Sequence, residues 1–232
     1  MPYLITLKDF LTMNRQILIA AMLLTGIAAS AQNGPKDWAQ FGRYAKENSE
    51  VISSPKAVFM GDSITDCWDD NDADFFHDNN FLCRGISGQT TSEMLVRFRQ
   101  DVISHHPKYV VILAGTNDLA QNNGYISIEN IMSNLKSMCE LAKVHKIKPV
   151  LCSLTPVTTY KWRPEIKNPT DLVIKLNEMI REYAEKEHIK YVDYHSVLKD
   201  EKGGFPEKYS YDSVHPNGDC YKVMEKIILE NL

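Results

Sequence analysis

The chain of 232 residues reads as an α/β protein, a five-stranded parallel sheet with helices on both faces. Short, β-rich apolar runs alternate with longer stretches whose apolar residues recur three or four apart. That alternation marks parallel strands joined by helical crossovers. The composition, 44% hydrophobic and 24% charged with a mean hydropathy of −0.31, supports a packed core and excludes a disordered or membrane-embedded chain. The length suits one domain, since single cores commonly reach about 200–250 residues.

In order along the chain, Trp38, Phe41 and Tyr44 come first, at helical spacing. Strands are expected at 57–60, 81–86, 109–114, 150–154 and 189–192. Amphipathic helices are expected at 91–104, 128–145, 171–187 and 221–229, each needing one buried face. The order is βαβαβαβαβα. In open α/β sheets ligands bind beyond the carboxyl ends of the strands. The polar residues after the first three runs are therefore candidates: Gly61-Asp62-Ser63, Ser87-Gly88-Gln89 and Gly115-Thr116-Asn117-Asp118. Asp212-Ser213-Val214-His215-Pro216-Asn217 precedes the last helix. The long connection 155–169, with Tyr160, Trp162 and Arg163, is placed over the same edge, and Trp68 could join it from the first loop. These side chains could stack on a sugar, line an acyl pocket, or simply pack the loop onto the domain.

The N-terminus differs in composition from the rest of the chain. Asn14-Arg15 is a short basic region, 17–29 is almost wholly apolar, and Ala29-Ser30-Ala31 is a small-x-small cleavage site. Residues 13–31 therefore read as a signal peptide, with 1–12 upstream of the true start at Met13 and 32–232 as a single exported domain, periplasmic or secreted. The apolar run of 13 residues falls short of the roughly 20 that a membrane span requires, so no integral segment is expected after cleavage. A net charge of −4 and pI near 6.0 give no field for gathering phosphates, so nucleic acid is not an expected partner. The five cysteines form no C-x-x-C pair, and none is assigned to a disulfide. No metal or cofactor is expected: His105-His106 is the only adjacent pair among seven histidines, and it reads as a polar helix end before Pro107.

The block Val58-Phe59-Met60-Gly61-Asp62-Ser63-Ile64-Thr65 resembles the first motif of the SGNH/GDSL hydrolases. Gly85-Ile86-Ser87-Gly88 resembles the second, Gly115-Thr116-Asn117-Asp118 the third and Asp212-x-x-His215 the last, all in family order. The resemblance runs from about Lys56 past His215. It implies a flavodoxin-like three-layer α/β/α sandwich and a serine esterase with the triad Ser63, Asp212 and His215. It further implies an oxyanion hole made by the backbone N–H groups of Ser63 and Gly88 and the side-chain amide of Asn117. The chemistry is consistent: an ester carbonyl needs a nucleophile, a base, a group that orients the base, and donors for the oxyanion. Asp62 and Asp118 read as loop supports or helix caps. Thr65 stands where the G-x-S-x-G elbow of α/β-hydrolases has its second glycine, which demotes that fold. The expected substrate is a small-molecule or glycan ester, with short acyl groups, acetyl above all, on a carbohydrate. The alternatives are a lysophospholipase or thioesterase and, from another class, a catalytically silent carbohydrate-binding module.

Overall fold

The computed structural model describes residues 36–232, of which Ala39–Leu232 forms one compact unit and 36–38 fall with a separate N-terminal one. The signal-peptide reading of 13–31, and the upstream segment 1–12, lie outside the described residues. Helix α1 (Ala45–Glu50) leads to β1 (Ala57–Gly61), α2 (Ser63–Asn71), α3 (Ala73–Asp78) and β2 (Phe81–Gly85). There follow α4 (Thr91–Asp101), β3 (Tyr109–Leu113), α5 (Thr116–Leu119), α6 (Ile128–Val144) and β4 (Lys148–Cys152). The chain ends with α7 (Pro169–Lys186), β5 (Lys190–Val192), α8 (Tyr194–Leu198) and α9 (Gly218–Leu229).

The five strands pair in the order β2-β1-β3-β4-β5, all parallel. With helices on both faces this is the expected three-layer, flavodoxin-like arrangement. Its connectivity reverses between β1 and β3, where a crevice opens at the strand ends. Alternate side chains feed two cores. Val58, Met60, Val110, Ile112 and Leu151 pack with Met94 and Phe98 of α4, Leu135 of α6 and Leu176 of α7. Phe59, Val111, Leu113, Val150 and Val192 pack on the other face with Trp68, Phe75, Tyr194, Tyr221 and Met224. Central β1 is buried along its whole length, as a strand flanked by partners and covered on both faces must be.

Several expectations need correction. Trp38, Phe41 and Tyr44 do not share a helix: the chain turns before α1 begins at Ala45, and Tyr44 alone of Phe41 and Tyr44 is buried. Its ring lies between the guanidinium groups of Arg43 and Arg84, and its hydroxyl donates to Gly85 O, so this segment covers the edge strand β2. Helix α4 stops at Asp101, where Val102 leaves helical geometry (φ −124°, ψ −64°), and a 3-10 turn at Ile103–His105 follows, closed by His106 at a left-handed φ of 49°. Strand β4 starts at Lys148, since ladder pairing (Tyr109 with Lys148) outruns the apolar run. Trp68 is not a loop residue at the site. It lies in α2, 1% exposed, stacked on Phe75 and Tyr221, with its indole N–H on Glu225.

Candidate active site

Three loops and one C-terminal turn meet at the β1/β3 switch point. Ser63 is the first residue of α2. Its predecessor Asp62 caps that helix, accepting from Ile64 N–H at 3.0 Å. The close approach of β1 and β2 to α2 requires glycine twice: a Cβ on Gly61 would meet Thr65 Oγ1 at 2.1 Å, and one on Gly85 would meet Asp66 N at 2.2 Å. Beneath them runs Arg97, fully buried. It donates to Gly61 O (3.1 Å), Arg84 O (2.9 Å), Gln89 Oε1 (2.6 Å) and Asp101 Oδ2 (2.9 Å), tying the ends of β1 and β2 to α4.

His215 reaches Ser63 from a turn between α8 and α9. Asn217 fixes this turn: its N–H donates to Tyr209 O, its amide donates to Lys208 O, and its Oδ1 caps α9. Tyr221 of α9 donates to Ile64 O at 2.8 Å, which brings α9 against α2 and so His215 toward Ser63. His215 Nε2 lies 2.9 Å from Ser63 Oγ, and His215 Nδ1 lies 2.6 Å from Asp212 Oδ2. The other oxygen, Asp212 Oδ1, accepts from the backbone N–H groups of Val214 (2.9 Å) and His215 (2.8 Å). Partial burial works against the Asp212 carboxylate, but these hydrogen bonds and the neighbouring imidazole outweigh it and hold its pKa below the usual value. An ionised Asp212 fixes the imidazole with its proton on Nδ1 and leaves Nε2 free to accept from Ser63.

The expected oxyanion donors surround the same point. Gly88 sits at φ 81°, in the left-handed region, in a turn held beside α2 by Asp66, whose Oδ2 accepts from Ser87 N–H (3.1 Å) and Ser87 Oγ (2.8 Å). No acceptor among the described residues takes the N–H of Ser63 or of Gly88. Asn117, at the start of α5, donates from Nδ2 to Gln89 O at 3.1 Å, with a second N–H left over. All five expected residues thus converge. They do so around an open cavity of about 330 Å³ lined by Ser63, Cys67, Ser87, Gly88, Asn117, Asn122, Trp162 and His215.

Asp62 and Asp118 support this geometry from below. Burial pushes the Asp62 carboxyl up to about 7, with Ile64 N–H and His215 opposing and Asp118 adding. Burial likewise raises Asp118 to about 6, against two hydrogen bonds from Thr91. Of the connection after β4, Trp162 reaches the cavity and is half-exposed. Tyr160 is buried on Thr116 Oγ1 (3.0 Å), and Arg163 is held on Gln121 O (2.7 Å). Asn122 also lines the cavity, and the sequence does not mark it as a site residue. The turn signal Asn122-Asn123-Gly124 places a loop there, but nothing in it points an amide at Asn117. The five cysteines are free thiols. Among the described residues no three His, Cys, Asp or Glu side chains gather as a metal site, and no helix is long and apolar enough to cross a membrane.

The model of the GDSL-like lipase/acylhydrolase family matches residues 59–223. A crystal structure of a GDSL-like lipase from Bacteroides thetaiotaomicron superposes with a TM-score of 0.82 at 40% identity, over 84% of this chain and 98% of that one. Two curated relatives are more distant. The N-acylneuraminate cytidylyltransferase of Escherichia coli is 27% identical over 190 residues, 81% of this chain but 43% of that enzyme, so the chain spans less than half of its length. The acetylxylan esterase of Geobacillus stearothermophilus is 21% identical over 215 residues, 79% of this chain and 96% of that one.

Proposed function

The chain belongs to the GDSL-like lipase/acylhydrolase family, hydrolases that act on esters, and within it we propose an exported serine esterase that removes short acyl groups from carbohydrate alcohols. The observation that carries this reading is the continuous chain Ser63 Oγ, His215 Nε2, His215 Nδ1, Asp212 Oδ2, with links of 2.9 and 2.6 Å, opening on a small cavity. Ser63 Oγ attacks the ester carbonyl while its proton passes to His215 Nε2. The N–H groups of Ser63 and Gly88 and the amide of Asn117 hold the oxyanion, helped by the positive N-terminal end of α2. Collapse expels the alcohol, which takes the proton from Nε2, and leaves Ser63 acylated. Water, giving its proton to His215, then attacks the acyl carbonyl, and the proton returns to Ser63 as the acid leaves.

The short-acyl preference, acetyl above all, rests on the cavity. A fatty chain gains about 0.8 kcal/mol per buried CH₂ only along an apolar wall. Here the cavity is only about 330 Å³, and no Leu, Ile, Val, Met or Phe side chain lines it. The half-exposed face of Trp162 suits the apolar side of a sugar ring, and the acetylxylan esterase likeness points the same way. The test is kcat/KM across acetyl, butyryl, octanoyl and palmitoyl esters of one leaving group, with acetate release from acetylated oligosaccharides. A fall with chain length and release of acetate are expected. A rise toward palmitoyl with no acetate released would favour a lysophospholipase instead. Export rests on residues 13–31: expression with the native leader should give a protein outside the cytoplasm beginning at Gln32, and an exported protein still carrying Met1 would refute it.

A further inference from the structure

Asn122 occupies a position that the proposed reaction does not use. Its Nδ2 donates to Asn117 Oδ1 at 2.8 Å and to Gly88 O at 3.4 Å, and its Oδ1 accepts from Trp162 Nε1 at 2.8 Å. Both of its N–H groups and its carbonyl are therefore engaged. The backbone pins it as well: Asn122 N–H donates to Asn117 O at 3.0 Å, and Arg163 holds the preceding carbonyl, Gln121 O, at 2.7 Å. One carboxamide thus bridges the loops after β2 and β3, each of which presents an oxyanion donor, and links them to the exposed indole of the loop after β4.

We propose that Asn122 is a positioning residue that sets the oxyanion hole, fixing which way the Asn117 amide faces and how close the Gly88 peptide stands to it, with Trp162 locking Asn122 in turn. The proposal rests on the reading of Asn117 as an oxyanion donor. The side-chain amide of an asparagine rotates over a broad, nearly two-fold torsion, so its oxygen and nitrogen exchange places unless neighbours distinguish them. Two neighbours do so here. Gln89 O accepts from Asn117 Nδ2, and Asn122 donates to Asn117 Oδ1. Removing the second weakens the orientation while the first persists. Replacing it with an acceptor reverses the preference at that end. The oxygen that replaces Nδ2 at position 122 would face Asn117 Oδ1 and Gly88 O, and the Asn117 amide would turn its nitrogen toward it and its oxygen toward the cavity.

This predicts an order that space-filling alone would invert. Asn122→Asp, the closest isostere, should lower kcat by about 100-fold, and Asn122→Ala by about 10-fold, with KM for a small acetyl ester changed less than about 3-fold in both. Trp162→Phe, which keeps an aromatic ring, though a smaller one, and loses the indole N–H, should lower kcat by about 3-fold. The decisive experiment is a double-mutant cycle on kcat at a pH where the introduced carboxyl group is ionised, with thermal melts to confirm that each variant is folded. In an Asn117→Ala background, Asn122→Asp should cost almost nothing further, because no amide remains to misdirect. An Asn122→Asp variant at least as active as Asn122→Ala, or full additivity with Asn117→Ala, overturns the proposal while leaving the esterase reading intact. Wild-type activity in Asn117→Ala alone overturns the oxyanion reading itself, and this proposal with it.

Discussion

Asp212→Asn isolates what the carboxylate does. Asparagine at 212 can present its amide in two ways. With its oxygen where Asp212 Oδ1 now lies, it keeps the hydrogen bonds from Val214 N–H (2.9 Å) and His215 N–H (2.8 Å) and sets an NH₂ against His215 Nδ1. Flipped, it sets the NH₂ against those two backbone donors, losing both bonds, each of them worth about 1 kcal/mol or more. The first arrangement therefore prevails by roughly 2 kcal/mol or more, and most molecules hold an imidazole whose Nδ1 is an acceptor and whose proton sits on Nε2, facing Ser63. That tautomer cannot take the hydroxyl proton. In the serine-protease template the equivalent change lowers kcat by about 10⁴-fold, and a loss of that order is expected here. The assay is kcat on p-nitrophenyl acetate, with a melting curve and circular dichroism to show that the fold is unaltered. A folded variant keeping more than about a tenth of wild-type kcat would refute the tautomer argument.

Two further substitutions test the support beneath the site. Arg97→Met removes a fully buried guanidinium and leaves Gly61 O, Arg84 O, Gln89 Oε1 and Asp101 short of a donor. It should destabilise the protein by about 3–5 kcal/mol in urea titrations, and a change below about 1 kcal/mol would contradict the role given to Arg97. Asp62→Asn tests the buried carboxyl, held at about 7 against 3.8 when unfolded. Because the folded value is the higher one, Asp62 leaves stability intact below about pH 4 and erodes it through pH 7, by up to about 4 kcal/mol. Asparagine can still accept from Ile64 N–H. Stability of Asp62→Asn relative to wild type should therefore rise between pH 4 and 7, and a difference independent of pH would refute the assignment.

The sheet was legible in the sequence because a strand buried on both faces must be apolar end to end, as 57–60 and 109–114 are. The long helices were legible for the same reason: α6 and α7 bury one stripe each. Helices α2 and α3 were not, because their signals are short and mixed with acid. Asp66, Asp69 and Asp70 interrupt the apolar pattern of α2, and what makes it a helix is the cap at Asp62 and the burial of Ile64 and Trp68. Trp68 was misplaced for that reason. The five residues that meet at the cavity were legible through the four motifs that resemble the family's, taken in order along the chain. Asn122 was not, because its role depends on three partners from separate loops, and no spacing along the chain records that.

Ser63 as nucleophile is the claim on which the proposed reaction depends. Treatment with a fluorophosphonate followed by peptide mass spectrometry should place a single phosphonyl adduct on Ser63, formed in step with loss of esterase activity, and lost in Ser63→Ala. Complete loss of activity with the adduct on another residue, or undiminished ester hydrolysis by Ser63→Ala, would contradict it.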